Sequence, residues 1–238
     1  MRLDKFLSNN QFISRTECKK ALKSGLIKVN GKYANDPSMK IDEEKDVVEY
    51  KGSVVKYNKY IYLMLNKPSG YVSSTDEPNK KTVIDLLPDC YKNIGLFPCG
   101  RLDIDTTGLL ILTNDGQLSH ILLSPKHHVG KTYYFECSPH LDDDMIKHLQ
   151  DGVDIGEKAI TKPAVIVPGP DMTSGTITIT EGKFHQIKRM FECVGSRITM
   201  LRRMSFAGIS LDSSLNEGDW RLLNDRETEL LTSFGTNN

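Results

Sequence analysis

The chain has 238 residues, 38% hydrophobic and 26% charged, with 31 basic against 31 acidic side chains. That composition is ordinary for a globular protein with one or two cores and excludes a low-complexity or disordered chain. No apolar run reaches the roughly 18 residues of a membrane span, and the opening Met-Arg-Leu-Asp-Lys has no apolar stretch for a signal peptide.

The zero net charge conceals an asymmetry. Residues 1–32 hold eight Lys/Arg against two acids, and residues 181–203 hold six against two. The rest of the chain keeps 17 bases and 27 acids. Two basic segments on an acidic background suit a polyanion, although solvated helix faces give the same counts. Cys18, Cys90, Cys99, Cys137 and Cys193 form no CxxC pair, and an odd number cannot close a full disulfide framework. A reducing cytoplasm is the expectation.

In chain order, Leu3, Phe6 and Leu7 have helical spacing. Ser14 is a candidate N-cap for a helix over Arg15–Ser24, which Gly25 stops. Leu26–Val29 reads as a strand, Asn30-Gly31 as a hairpin turn, and Val47–Tyr50 as a closing strand. Residues 51–59 carry a weak pattern and read as a linker, dividing the chain into 1–58 and 59–238. Beyond it, strands are predicted at Ile61–Leu65, Leu109–Thr113, Lys131–Cys137, Ala164–Val167, Thr176–Thr180 and Ile198–Met204. Helices are predicted at Thr82–Leu87, Gln117–Leu123, Asp143–Asp151, Phe184–Cys193 and Asp225–Ser233, the last capped by Asn224 with Glu227. Short, hairpin-like connections favour an α+β domain with a mixed, largely antiparallel sheet flanked by helices.

The densest polar constellation is Cys99-Gly100-Arg101-Leu102-Asp103-Ile104-Asp105-Thr106-Thr107-Gly108, before the apolar run Leu109–Leu112. A carboxylate on such a loop can be a nucleophile or a general base. Asp, Thr and Gly also build ordinary turns, and residue chemistry alone favours that reading. His127-His128 invites a metal, but no third ligand has suitable spacing.

Gly100-Arg101-Leu102-Asp103 resembles the central motif of the pseudouridine synthase superfamily, in the branch that contains the small-subunit rRNA enzyme RsuA. Asn66-Lys67-Pro68-Ser69-Gly70, Lys131-Thr132-Tyr133 and the segment Glu181–Met190 resemble further motifs of that branch, in the same order. The N-terminal segment resembles an S4 RNA-binding domain, so the resemblance covers nearly the whole chain.

The resemblance implies an isomerase that detaches uracil from its ribose, turns it and rejoins it through carbon, with no metal and no cofactor. It makes Asp103 the nucleophile, Tyr133 the residue that stacks on a flipped base, and Lys188 the cation that pairs with Asp103. Lys188 stands where many relatives carry Arg. Asp105 is given no catalytic role and is expected to stabilise the turn. Arg101 is placed to fill the gap left by the flipped nucleotide or to hold a phosphate. Arg2, Lys5, Arg15, Lys19, Lys20 and Lys23 are expected at RNA phosphates, and Arg189 at RNA or solvent. The implied partner is 16S rRNA or a small-subunit assembly intermediate, and a monomer is expected. The alternatives are the same reaction on 23S rRNA or tRNA, a non-catalytic ribosome-assembly protein, and a carbohydrate hydrolase using Asp103 with Asp105.

Overall fold

The computed structural model describes residues 1–11, 13–92 and 94–236. The chain divides into two compact units, Met1–Ile61 with Leu87–Leu96, and Tyr62–Leu86 with Phe97–Asn238.

The first unit begins with α1 (Leu3–Gln11) and α2 (Arg15–Lys23). Leu3, Phe6 and Leu7 are fully buried, as their spacing predicts. The Ser14 hydroxyl accepts from the Glu17 N–H at 3.1 Å, and the Ser14 N–H donates to the Glu17 carboxylate at 2.7 Å. This reciprocal cap fixes where α2 starts. Strands β1 (Ile27–Val29), β2 (Lys32–Tyr33), β3 (Val48–Tyr50) and β4 (Ser53–Val54) form an antiparallel sheet in the order β2-β1-β3-β4. Asn30 and Gly31 both have positive φ, as a two-residue hairpin turn requires. The stretch read as a linker starts with a second such turn: Lys51 and Gly52 also have positive φ and fold β4 back onto β3. Cys18, Ala21 and Leu22 of α2 pack with Ile27, Val29 and Val48 into one core. The short helix α3 (Asp89–Lys92) belongs to this unit.

The second unit is built on a nine-stranded sheet. Its strands are β5 (Tyr62–Lys67), β6 (Phe97–Pro98), β7 (Thr107–Thr113), β8 (Lys131–Ser138), β9 (Val165–Pro168), β10 (Ser174–Ile179), β11 (Arg197–Phe206), β12 (Ile209–Ser210) and β13 (Trp220–Leu222). The main order is β13-β5-β7-β11-β8-β10-β9, with β6 on β7 and β12 on β11. Every pairing is antiparallel except β7 with β11. Helices α4 (Gly116–Leu123), α5 (Asp143–Asp151), α6 (Gln186–Cys193) and α7 (Asp225–Thr236) complete it.

The expected antiparallel character and flanking helices are present. β5 and β7 are buried along their whole length, whereas β8 alternates. In β8, Tyr133 and Phe135 face inward and Tyr134 does not. The helix expected at Thr82–Leu87 is a single tight 3-10 turn, Val83–Leu86. α7 starts as expected, with Asn224 and Glu227 capping each other at 2.9 Å in both directions.

Candidate active site

Asp103 sits on the loop between β6 and β7, and three upstream groups fix that loop. The buried Lys67, the last residue of β5, donates from Nζ to the carbonyls of Pro68 (3.0 Å), Ile104 (3.2 Å) and Thr106 (2.9 Å). The Gly70 N–H donates to Ile104 O at 2.8 Å. The Ser73 hydroxyl donates to Leu102 O at 3.0 Å and accepts from Leu102 N at 3.1 Å. The segment Lys67–Ser73 therefore clamps the backbone on both sides of Asp103. Burial pushes the Lys67 ammonium down to about 8, although the charges of Asp105 and Asp103 oppose the shift.

Two glycines make the loop possible. Gly108 has φ +97°, and a Cβ there would lie 2.3 Å from the Arg203 carbonyl oxygen, so glycine allows the parallel contact between β7 and β11. Gly100 has φ +86°, and a Cβ there would meet Leu123 at 2.9 Å.

The charges around Asp103 come from α6 and the turn before it. Lys188 Nζ lies 3.5 Å from Asp103 Oδ2, but 2.6 and 2.8 Å from the two oxygens of Asp105. Lys188 thus bridges both carboxylates and holds Asp105 more tightly. This corrects the turn-stabilising role expected for Asp105. Burial alone would raise the Asp105 carboxyl, but the hydrogen bond and charge of Lys188 bring it below its ordinary range.

His185 was not among the expected site residues, yet its Nε2 stands 3.4 Å from Asp103 Oδ1. It occupies the N-cap of α6 with φ +48°, and its ring stacks on Phe184 at 3.8 Å between centroids. The turn that presents it is folded by Gln186. That buried amide donates to Glu181 at 2.9 Å, and its oxygen accepts from the Lys183 N–H at 2.9 Å. The sequence signal for His185 was its place in the Glu181–Met190 motif; the left-handed backbone that aims it has no sequence signature.

These groups surround a cavity of about 680 Å³. Asp103, Arg101, Tyr133, Phe184, His185 and Lys188 line it. Arg101 and Phe184 are exposed, while Tyr133 is buried in the sheet floor. Arg189 does not join them. Its guanidinium donates to Glu157 at 3.0 Å, to Phe184 O at 3.2 Å and to the Ile155 carbonyl, so it braces the 155–157 turn rather than facing open solvent.

In the N-terminal unit Arg2 pairs with Asp4 at 2.8 Å. Lys5, Arg15, Lys19, Lys20 and Lys23 are exposed. Lys162 Nζ donates to His128 Nδ1 at 3.1 Å. Among the described residues no group of three His, Cys, Asp or Glu side chains could hold a metal, and no helix is long and apolar enough to cross a membrane.

The RNA pseudouridylate synthase family model matches residues 61–193, and the S4 domain model matches residues 1–48. An uncharacterised RNA pseudouridine synthase of Bacillus subtilis, YtzG, is 43% identical over 97% of this chain and 98% of its own. The ribosomal small subunit pseudouridine synthase A of Escherichia coli K12 is 40% identical over 95% of this chain and 98% of its own. A crystal structure of a pseudouridylate synthase superposes with a TM-score of 0.69 at 36% identity, covering 97% of this chain and 99% of that one.

Proposed function

The chain belongs to the RNA pseudouridine synthase family, with an S4 domain at its N-terminus, and from that premise we propose that it isomerises one uridine of small-subunit (16S) ribosomal RNA. The observation that carries the reading is the position of Asp103. Its carboxylate lies at a cavity with room for a whole nucleotide, between Lys188 and His185, on a loop clamped by Lys67 and Ser73.

In the proposed reaction the target nucleotide leaves its stack and enters the cavity, because the reacting atoms are hidden in stacked RNA. Tyr133 gives the uracil a flat aromatic surface, and Arg101 at the exposed rim meets the backbone or the vacated gap. Asp103 acts as the nucleophile, with Lys188 3.5 Å away as its counter-ion. Across the reaction the C1′–N1 bond breaks, a C1′–C5 bond forms, and the proton on C5 is lost while N1 gains one. Residues 1–58 hold the RNA, and residues 59–238 carry the chemistry.

The target assignment rests on the relatives. A pseudouridine map of 16S rRNA from cells lacking the protein, complemented with wild type or Asp103→Asn, tests it. One site should disappear and return only with wild type. A complete 16S map would redirect the search to 23S rRNA and tRNA. Full restoration by Asp103→Asn would instead make binding the function.

A further inference from the structure

On the floor of the cavity lie two cations with no part in the proposed reaction so far. Lys131 opens β8 and Arg203 lies near the end of β11; both line the cavity, and they are only 9% and 2% exposed. The register brings them together. Arg203 is the cross-strand partner of Tyr133, and Lys131 lies two residues before Tyr133 on the same inward face. Ile179, the partner of Lys131 on β10, and Leu201 complete an apolar surround that also lines the cavity.

Buried cations are normally paired. These have no carboxylate: among the described residues none lies within 4.0 Å of either, and both instead stand over the face of the Phe206 ring, Lys131 at 5.7 Å and Arg203 at 5.1 Å from its centroid, which leaves their hydrogen-bond donors to be met elsewhere. Lys131 Nζ donates to Val129 O at 3.0 Å. Arg203 Nε donates to Leu109 O at 2.6 Å, while its Nη2 is buried with no partner. An orphaned guanidinium N–H and a neighbouring ammonium, beneath a cavity, call for an acceptor from a ligand. The surround selects its kind. A phosphate would remain at the hydrated rim, near Arg101 and Lys183, whereas Tyr133, Ile179 and Leu201 suit a flat ring with acceptors on its edge.

We propose that Lys131 and Arg203 form a recognition floor for the carbonyl oxygens of the target uracil and stabilise the negative charge gathered there when the base leaves the sugar. The inference rests on the proposed reaction. As the C1′–N1 bond breaks, its electron pair stays with the ring and spreads to O2 and O4, and an Asp103 oxygen bonds to C1′. When C5 then bonds to C1′, the carboxylate leaves and the C5 proton is lost. Donors aimed at developing charge in a dry site contribute to rate, whereas phosphate contacts contribute to affinity.

The charge on Lys131 is poised to titrate. Burial, reinforced by Arg203, pushes its ammonium down to about 8, against the opposing charges of Cys99 and Glu181. These are the ionisable groups that face it: Arg203 from β11, Cys99 from the loop after β6, and Glu181 from the turn after β10. Raising pH through that value removes the cation and should slow the reaction. Lys67 titrates in the same range, so the wild-type alkaline decline should involve two protons.

The test measures single-turnover pseudouridine formation and RNA affinity for the full-length wild type, Arg203→Met, Lys131→Met and Lys131→Arg. Wild type must first turn over ribosomal RNA; if it modifies none, the functional reading fails and this inference fails with it. With an active wild type, each Met variant should be slower by about 100-fold with RNA affinity within about 2-fold. Lys131→Arg should stay folded and active near neutrality, and its alkaline decline should involve one proton. Weakened RNA binding with an unchanged rate would overturn the proposal in favour of a phosphate. An alkaline limb in Lys131→Arg identical to wild type would also overturn it.

Discussion

The two units use the same residue types in opposite ways. In the N-terminal unit Lys5, Arg15, Lys19, Lys20 and Lys23 project from helices into solvent. In the second unit Lys67, Lys131 and Arg203 are buried, and Lys188 is fixed between two carboxylates. An exposed cation acts through screened, geometry-tolerant attraction to phosphates, whereas a buried one acts at a single atom and only in a particular charge state. Mutations in the first group should therefore alter affinity and salt response, and those in the second should alter rate and pH response.

The largest break in that comparison should come from the anion the second group surrounds. Asp103→Asn keeps the shape of the side chain and removes the proposed nucleophile, so the rate should fall by about 10⁴-fold or more, with RNA affinity nearly unchanged. Rapid-quench pseudouridine assays beside filter binding separate the two. An Asn variant within tenfold of wild type would remove Asp103 from the chemistry.

Lys188 comes next. Lys188→Met leaves Asp103 and Asp105 as neighbouring carboxylates without the cation that bridges them. Without that counter-ion the rate should fall by about 100-fold, and the acidic limb of the rate profile should move upward. Asp105→Asn keeps the cation and frees it for Asp103, so its loss should be much smaller. Equal losses in the two variants would mean that Asp105 matters as more than an anchor for Lys188.

Replacing Lys19, Lys20 and Lys23 together with Ala tests the exposed set. Affinity should weaken while single-turnover rate at saturating RNA stays the same. The slope of log affinity against log salt should become shallower by about 2, since each lost contact to single-stranded RNA accounts for about 0.7. An unchanged slope would mean that these lysines do not meet phosphates.

What could be read from the sequence follows the same division. Elements with strong periodicity appeared where expected: α5 spans Asp143–Asp151, as its pattern indicates. The missed strands are two or three residues long, too short for alternation to register, and β4 was hidden because Lys is not the residue that usually takes a positive φ in a hairpin turn. Asp103, Tyr133 and Lys188 could be named because they lie in motifs. The grip of Lys188 on Asp105 and the approach of His185 could not, because both depend on how the turn before α6 folds against the Asp103 loop. Arg203 did leave a trace. It shares an inward face with Leu201, and a charged residue at an apolar position of a strand marks either a mispaired register or a site.

The smallest effect concerns a cation used for scaffold alone. Arg221 on β13 donates to Asp212 at 2.6 Å and grips Glu227 of α7 at 2.7 and 2.8 Å. Hydrogen bonds from Ser214, and then from Arg221, hold the Asp212 carboxyl at about 2, and Arg221 lowers Glu227 as well. A carboxyl depressed in the folded state binds its proton more readily when unfolded. Its stabilising effect is therefore complete above the ordinary carboxylate range and disappears as pH falls from about 4 towards 2. Thermal denaturation across that interval should show a declining Tm, and Arg221→Met should flatten part of the decline while lowering Tm at pH 7. Because Arg221 does not line the cavity, the variant should keep the wild-type rate at temperatures where it is folded. A Tm curve parallel to wild type down to pH 2 would mean that the network is screened by solvent and that the β13–α7 junction is held by its apolar contacts alone.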